Sequence, residues 1–158
     1  MTTSTDQIHI AIEDPLSSDL ELLFRRHVEA MHADTPPESI HMIPRESLVS
    51  PGISFFVMRQ GGQPVAMGAM KAIDPTHAEL KSMHVLAEMR GKGLSRLLLD
   101  HLVGQATAAG IGRLSLETGA QPSFAAARGL YLRAGFMECA PFADYRPDPN
   151  SIYMTIEL

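Results

Sequence analysis

The chain has 158 residues, 45% of them hydrophobic and 20% charged, which suits one globular domain with its own buried core. A formal net charge of -5 disfavours non-specific nucleic-acid binding and tilts recognition towards cationic partners. No apolar run reaches the roughly 18 residues of a membrane helix. Met1–Gln7 is polar without a signal-peptide core, and the one cysteine, Cys139, cannot close an internal disulfide. These features lead to the expectation of a cytoplasmic protein with no nucleic-acid or membrane partner: a flexible start over 1–7, then a single domain over 8–158.

Ile8, Ile10 and Ile12 alternate with polar or small residues and predict a strand that Asp14-Pro15 ends. Ser18 and Glu21 have capping-box spacing, and Leu20, Leu23, Phe24 and His27 share one helical face. The proline-rich stretch Met31 to Pro51 reads as a loop with one or two helical turns. Ser54–Arg59 and Val65–Lys71 flank Gln60-Gly61-Gly62-Gln63 and predict a hairpin. After Asp74-Pro75 comes a strand over His77–Val85, then a loop to Gly93. A helix follows, carrying Leu94, Leu97, Leu98, Leu102 and Ala106, with Gly110 at its stop. Arg113–Glu117 is a short strand, Gln121-Pro122-Ser123 opens a helix ending at Gly135, and Phe136–Cys139 and Ile152–Glu157 are the last strands. A strand-helix-strand passage among hairpins implies one parallel pair in an otherwise antiparallel sheet, a mixed α/β class.

The junction Arg90-Gly91-Lys92-Gly93-Leu94-Ser95-Arg96 joins a strand end to a helix start. Glycines let a ligand approach the backbone, and the first helical N–H groups attract phosphate through free donors and the helix dipole. Arg90, Lys92 and Arg96 add positive charge. By itself this also fits a solvated basic loop. Neither the GxxxxGK[ST] nor the GxGxxG nucleotide motif is present.

Arg90-x-x-Gly93-x-Ser95 resembles the Q/R-x-x-G-x-G/A pattern of the GNAT superfamily of N-acetyltransferases, and Leu130-Tyr131-Leu132-Arg133-Ala134-Gly135-Phe136 resembles its L-Y-x-x-x-G-F landmark. The likeness is strongest over Val57 to Phe136. Leu116-Glu117-Thr118-Gly119 and the tail Pro141 to Pro147 resemble the bacterial YsnE-like acetyltransferases. Two positions depart from the pattern. Ser95 stands where Gly or Ala is usual, and Phe124 stands where an asparagine often helps hold pantetheine, with Gln121 as a candidate replacement.

The resemblance implies a central sheet of about six to seven strands with about four helices, and acetyl-CoA as co-substrate without a metal. It places pantetheine between splayed strands His77–Val85 and Arg113–Glu117, on the backbone of Met83, His84 and Val85. The pyrophosphate then falls on N–H groups of Arg90 to Ser95, and an N–H near Met83 faces the oxyanion. Tyr131 matches the acid that protonates the departing thiolate, the alternative being a packed core tyrosine. Glu79 and Glu117 are the two carboxylate candidates for the base that deprotonates the amine; a water chain is a third route.

The acceptor pocket is expected from Met31–Pro51 and Pro141–Asn150, with His32, His41, Tyr145 and Arg146 as polar candidates. The implied function is direct acetylation of a primary amine of a small molecule or amino-acid-like metabolite. A protein amine as acceptor, or a non-catalytic acyl-CoA-binding module, are the competing readings. A homodimer is one assembly the family allows. The seven histidines show no HExxH or clustered ligand spacing, and Cys139 has no histidine partner nearby in sequence.

Overall fold

The computed structural model describes residues 7–158. The flexible start expected over 1–7 lies outside the described residues except for Gln7, whose carbonyl accepts the Gly61 N–H at 3.1 Å. Seven strands form one sheet: β1 (Ile8–Ile12), β2 (Ile53–Gln60), β3 (Gln63–Asp74), β4 (His77–Val85), β5 (Arg113–Gly119), β6 (Met137–Cys139) and β7 (Ser151–Glu157). Their order across the sheet is β1-β2-β3-β4-β5-β7-β6, antiparallel except for β4 with β5. The mixed α/β class is as expected. Three α-helices are present among the described residues rather than about four: α1 (Glu21–Asp34), α2 (Leu94–Ala108) and α3 (Ala125–Arg133), with single 3-10 turns between elements.

The β2–β3 turn forms because Gly61 and Gly62 both take positive φ, +56° and +83°, as a two-residue type I′ turn demands. At the β3–β4 turn the Asp74 carboxylate accepts the Thr76 N–H at 2.8 Å and closes the reversal.

Both faces of the sheet are covered. Leu20, Leu23 and Phe24 pack with Leu48, Phe55, Val57, Met67 and Ala69 on one face. Leu94, Leu98, Leu99 and Leu102 of α2 and Tyr131 of α3 pack with Phe56, Met58, Leu80, Leu114 and Leu116 on the other. Two expectations fail around α1. Ser18 sits in a 3-10 turn and makes no cap, because the helix opens one turn later, after Leu20. The helix also runs through Met31–Asp34, stopping only where Thr35, ahead of Pro36, turns extended. The rest of the irregular segment holds two 3-10 turns. It is tied down by Arg45, which donates to the Pro15 and Ser17 carbonyls (both 2.6 Å) and lies over the Phe24 ring.

The site depends on what happens to β4. Its apolar residues alternate at Ala78 and Leu80, then reappear at Met83 and Val85, so the parity changes across Ser82. Lys81 pairs with Ala69 and His84 with Met67, which leaves Ser82 and Met83 facing Gly68 alone. This is a β-bulge, and Ser82 takes φ +56° to make it. Gly68 makes room opposite: a Cβ there would meet the Met83 sulfur at 2.5 Å and a Leu102 methyl at 3.0 Å, and these side chains would have to shift.

Candidate active site

Strands β4 and β5 pair at only three positions, His77–Arg113, Ala78–Leu114 and Glu79–Ser115. Beyond them Leu80–Val85 and Leu116–Gly119 diverge, and a cleft of about 130 Å³ opens between them. On one side it is lined by Phe124, Ala127 and Tyr131; on the other by His27, Met31, His41 and Met42; at its floor by Glu79, Lys81, Met83 and Glu117. A broader, shallow hollow of about 490 Å³ lies over β6 and β7 beside Glu138, Cys139 and Asp148. It contains none of the residues expected to catalyse, so the smaller cleft is where the candidate chemistry converges.

At the mouth of the splay, Arg90, Gly91, Lys92 and Gly93 are exposed and lead into α2. Gly91 and Gly93 take φ +79° and +77°, conformations that glycine adopts without strain, and a Cβ on either would meet nothing within 4 Å. The first backbone bond closing α2 runs from the Leu97 N–H to the Gly93 carbonyl at 3.2 Å. The amides of Gly91 through Arg96 therefore have no backbone acceptor among the described residues. The Arg90 amide differs from expectation, because it is already bonded to the Ala87 carbonyl at 3.2 Å. Leu94 is buried in the core and anchors the turn, Ser95 is half-buried, and the exposed Arg96 side chain is held by Asp100 at 2.9 Å. Open amides, positive-φ glycines and surface cations together fit a pyrophosphate.

Tyr131 is buried on α3, edge-on to Phe136, and its hydroxyl has no hydrogen-bond partner among the described residues. Burial pushes its pKa up to about 12. Phe124, seven residues earlier, lies with Gln121 against Gly119, where a Cβ would collide with the Phe124 ring. Phe124 therefore fills space beside the cleft with an apolar ring, and the side-chain amide oxygen of Gln121, Oε1, is buried without a partner.

The two carboxylate candidates differ sharply. Glu79 is buried, and its Oε2 accepts from the Tyr145 hydroxyl and from Lys81 Nζ (3.4 Å). Lys81 also donates to the His41 carbonyl and to the Tyr145 oxygen, both at 2.7 Å, so its three protons are all engaged. Burial, then the bond to Glu79, raises the pKa of Tyr145. Glu117 lines the same cleft half-buried, and desolvation raises its carboxyl above the usual range despite the nearby Ser151, His41 and Lys81.

On the α1 side, His27 lines the cleft and packs edge-on against buried His84, ring centroids 5.3 Å apart. Burial holds both imidazoles down at about 4; for His84 the charges of His27, Arg90 and Arg26 add to it. His84 thus turns its side chain to α1, and Val85 packs into the α2 face. His41 lines the cleft, and its Nε2 is buried without a partner. His32 and Arg146 are exposed outside the cleft; the Arg146 carbonyl accepts the Tyr153 hydroxyl at 2.6 Å. The sequence pattern assigns no site role to Lys81 or Ser82, and places His27 only on the inner face of a helix. The two consecutive polar residues Lys81-Ser82, which break the alternation of β4, were the available signal.

A parallel strand pair prised open beside a glycine-bearing helix start defines a mixed α/β domain with an open cleft between two strands. The acetyltransferase (GNAT) family model matches residues 19–136, and the chain belongs to that family of acyltransferases, which draw the acetyl group from acetyl-CoA. It is similar to the uncharacterized N-acetyltransferase YsnE of Bacillus subtilis, 42% identical over 96% of this chain and 100% of the relative. It is also similar to the IAA acetyltransferase of Azospirillum brasilense, 36% identical over 93% of this chain and 95% of the relative. A solved Bacillus subtilis acetyltransferase in complex with CoA shares the fold, with TM-score 0.70 and 14% identity over 96% of this chain and 99% of that one. Among the described residues no helix is long and apolar enough to cross a membrane, and no cluster of three metal-ligating side chains occurs.

Proposed function

We propose that the protein transfers an acetyl group from acetyl-CoA directly to the primary amine of a small molecule, with the two substrates meeting in the β4–β5 cleft. The observation that carries this is the loss of β4–β5 pairing after Glu79, which exposes strand backbone along a cleft that Tyr131 and Glu117 both line.

Acetyl-CoA supplies the acetyl group as a thioester, an activated acyl that an amine can attack. The amides of Gly91 to Arg96, with Lys92 and Arg90, hold the pyrophosphate. Backbone of Met83, His84 and Val85, unpaired on the β5 side, holds the pantetheine arm as an added strand would be held. The bulge at Ser82 frees the Met83 N–H to face the oxyanion.

Glu117 accepts the proton from the incoming ammonium. Its desolvated carboxylate is more basic than an ordinary one, whereas Glu79 is committed to Tyr145 and Lys81. The neutral amine attacks, the C–N bond forms, and the C–S bond breaks. Tyr131 then gives its proton to the sulfur. Its raised pKa keeps that proton in place at neutral pH. Delivery to a thiolate whose thiol has an ordinary pKa of about 8.5 would be uphill, and the same apolar surroundings narrow the gap by raising the thiol's pKa as well. The nitrogen's surplus proton passes to the oxygen that Tyr131 leaves deprotonated on protonating the sulfur. Cys139 on β6 lies outside the cleft, which supports direct transfer over an acetyl-cysteine intermediate.

A small acceptor is favoured over a protein one because Met31, His41 and Met42 wall the cleft and Tyr145 ties the C-terminal loop down over it. The test is a screen of amines and peptides for free-thiol release from acetyl-CoA. Turnover with small primary amines is expected; turnover with peptides alone would overturn the small-molecule reading.

A further inference from the structure

The cleft's charges leave one group over. Lys81 is the only lysine or arginine among the residues lining it, and its donors are taken by His41, Tyr145 and Glu79. Glu79 and Lys81 therefore offset each other at 3.4 Å. Glu117 is the remaining acidic group, without a salt-bridge partner among the described residues. Arg146, the cation expected to meet an acceptor carboxylate, is exposed outside the cleft. The remaining acceptor-side wall is His27, His41 and two thioethers, Met31 and Met42, soft side chains that adapt to apolar bodies.

Resting on the acetyltransferase reading above, we propose that the acceptor is a compact alkyl or arylalkyl amine bearing no carboxylate beside its nitrogen, docked with its ammonium on Glu117 and its apolar body against Met31 and Met42. An α-amino acid would bring its carboxylate next to Glu117 with no free lysine or arginine in the cleft to receive it. Like-charge contact and the desolvation of a carboxylate that no lysine or arginine pairs both act against it. This separates amines from amino acids of the same body, a distinction that family membership does not make.

The experiment titrates the enzyme saturated with CoA, a dead-end complex in which no turnover occurs, with phenethylamine and with phenylalanine, which differ by one carboxylate. Isobutylamine and valine repeat the comparison. The expected result is at least tenfold tighter binding of each amine, narrowing to under threefold in Glu117→Gln. Equal or tighter binding of the amino acids overturns the proposal, and so does no binding of either amine at millimolar concentration. The wild-type comparison decides the matter even if the variant does not fold. Failure of CoA itself to bind would instead sink the acetyltransferase reading, so the two failures are distinguishable.

Discussion

Replacing Tyr145 by phenylalanine removes one oxygen from the Glu79–Lys81–Tyr145 cluster at the floor of the cleft. The ring would stay, packed against Phe142, Tyr153 and His41 at centroid distances of 5.1, 5.5 and 5.0 Å. What is lost is the hydroxyl that donates to Glu79 and accepts from Lys81. Each is a charge-assisted bond worth about 1.5–3 kcal/mol, and both charged partners would be left under-satisfied. Water entering the cleft recovers part of this, so the expected destabilisation is about 2–4 kcal/mol. For a chain of this length that lowers Tm by about 5–15 °C. Urea and thermal unfolding monitored by circular dichroism measure it. The loop Pro141–Asn150 would also loosen over the cleft, so KM for the acceptor should rise more than kcat falls. A loss below about 0.5 kcal/mol, the range of an ordinary surface change, would refute the reasoning.

Tyr131→Phe should lower kcat by about 10²-fold or more as expected for a general acid, while leaving Tm nearly unchanged, because the hydroxyl has no partner to lose; steady-state kinetics with unchanged turnover would count against it. Gly93→Val places a β-branched residue at φ +77°, costing about 1–3 kcal/mol and disturbing the amide cradle; acetyl-CoA affinity measured by calorimetry should fall at least tenfold. His27 and His84 titrate near 6.5 when unfolded and about 4 when folded. Between those values the unfolded chain binds more protons, so their contribution is complete above pH 6.5 and lost as pH falls to 4. The full linkage is about 3 kcal/mol per histidine, less for two that share one site. Urea titrations at pH 7 and pH 5 should show the drop, and His27→Leu should flatten it.

The sheet is legible where turn residues punctuate it. β4 begins after Asp74-Pro75 and ends at Val85 as read, and Gly61-Gly62 marks the β2–β3 turn without ambiguity. The end of α1 was misplaced because His32, Ala33 and Asp34 carry no helical face, and only the backbone of Thr35 stops the helix. The bulge at Ser82 was missed because its cause is tertiary: Gly68, on the neighbouring strand, makes room for Met83. Arg90–Ser95 and Tyr131 could be singled out from local motif, since each needs a particular residue at a particular turn. The Glu79–Lys81–Tyr145 cluster could not be. Tyr145 lies in a loop without periodicity, and its partners are 66 and 64 residues away in sequence. Arg146 drew attention for its charge, yet the neighbouring Tyr145 takes the inward position and leaves Arg146 to solvent.

The most direct test of the account is isothermal titration of the wild-type protein with acetyl-CoA, repeated with Gly93→Val. One acetyl-CoA bound per chain, with affinity lost in the variant, is the result predicted by the β4–β5 cleft and the amides of Gly91 to Arg96. No binding to the wild-type protein, or binding that the variant leaves unchanged, would contradict it.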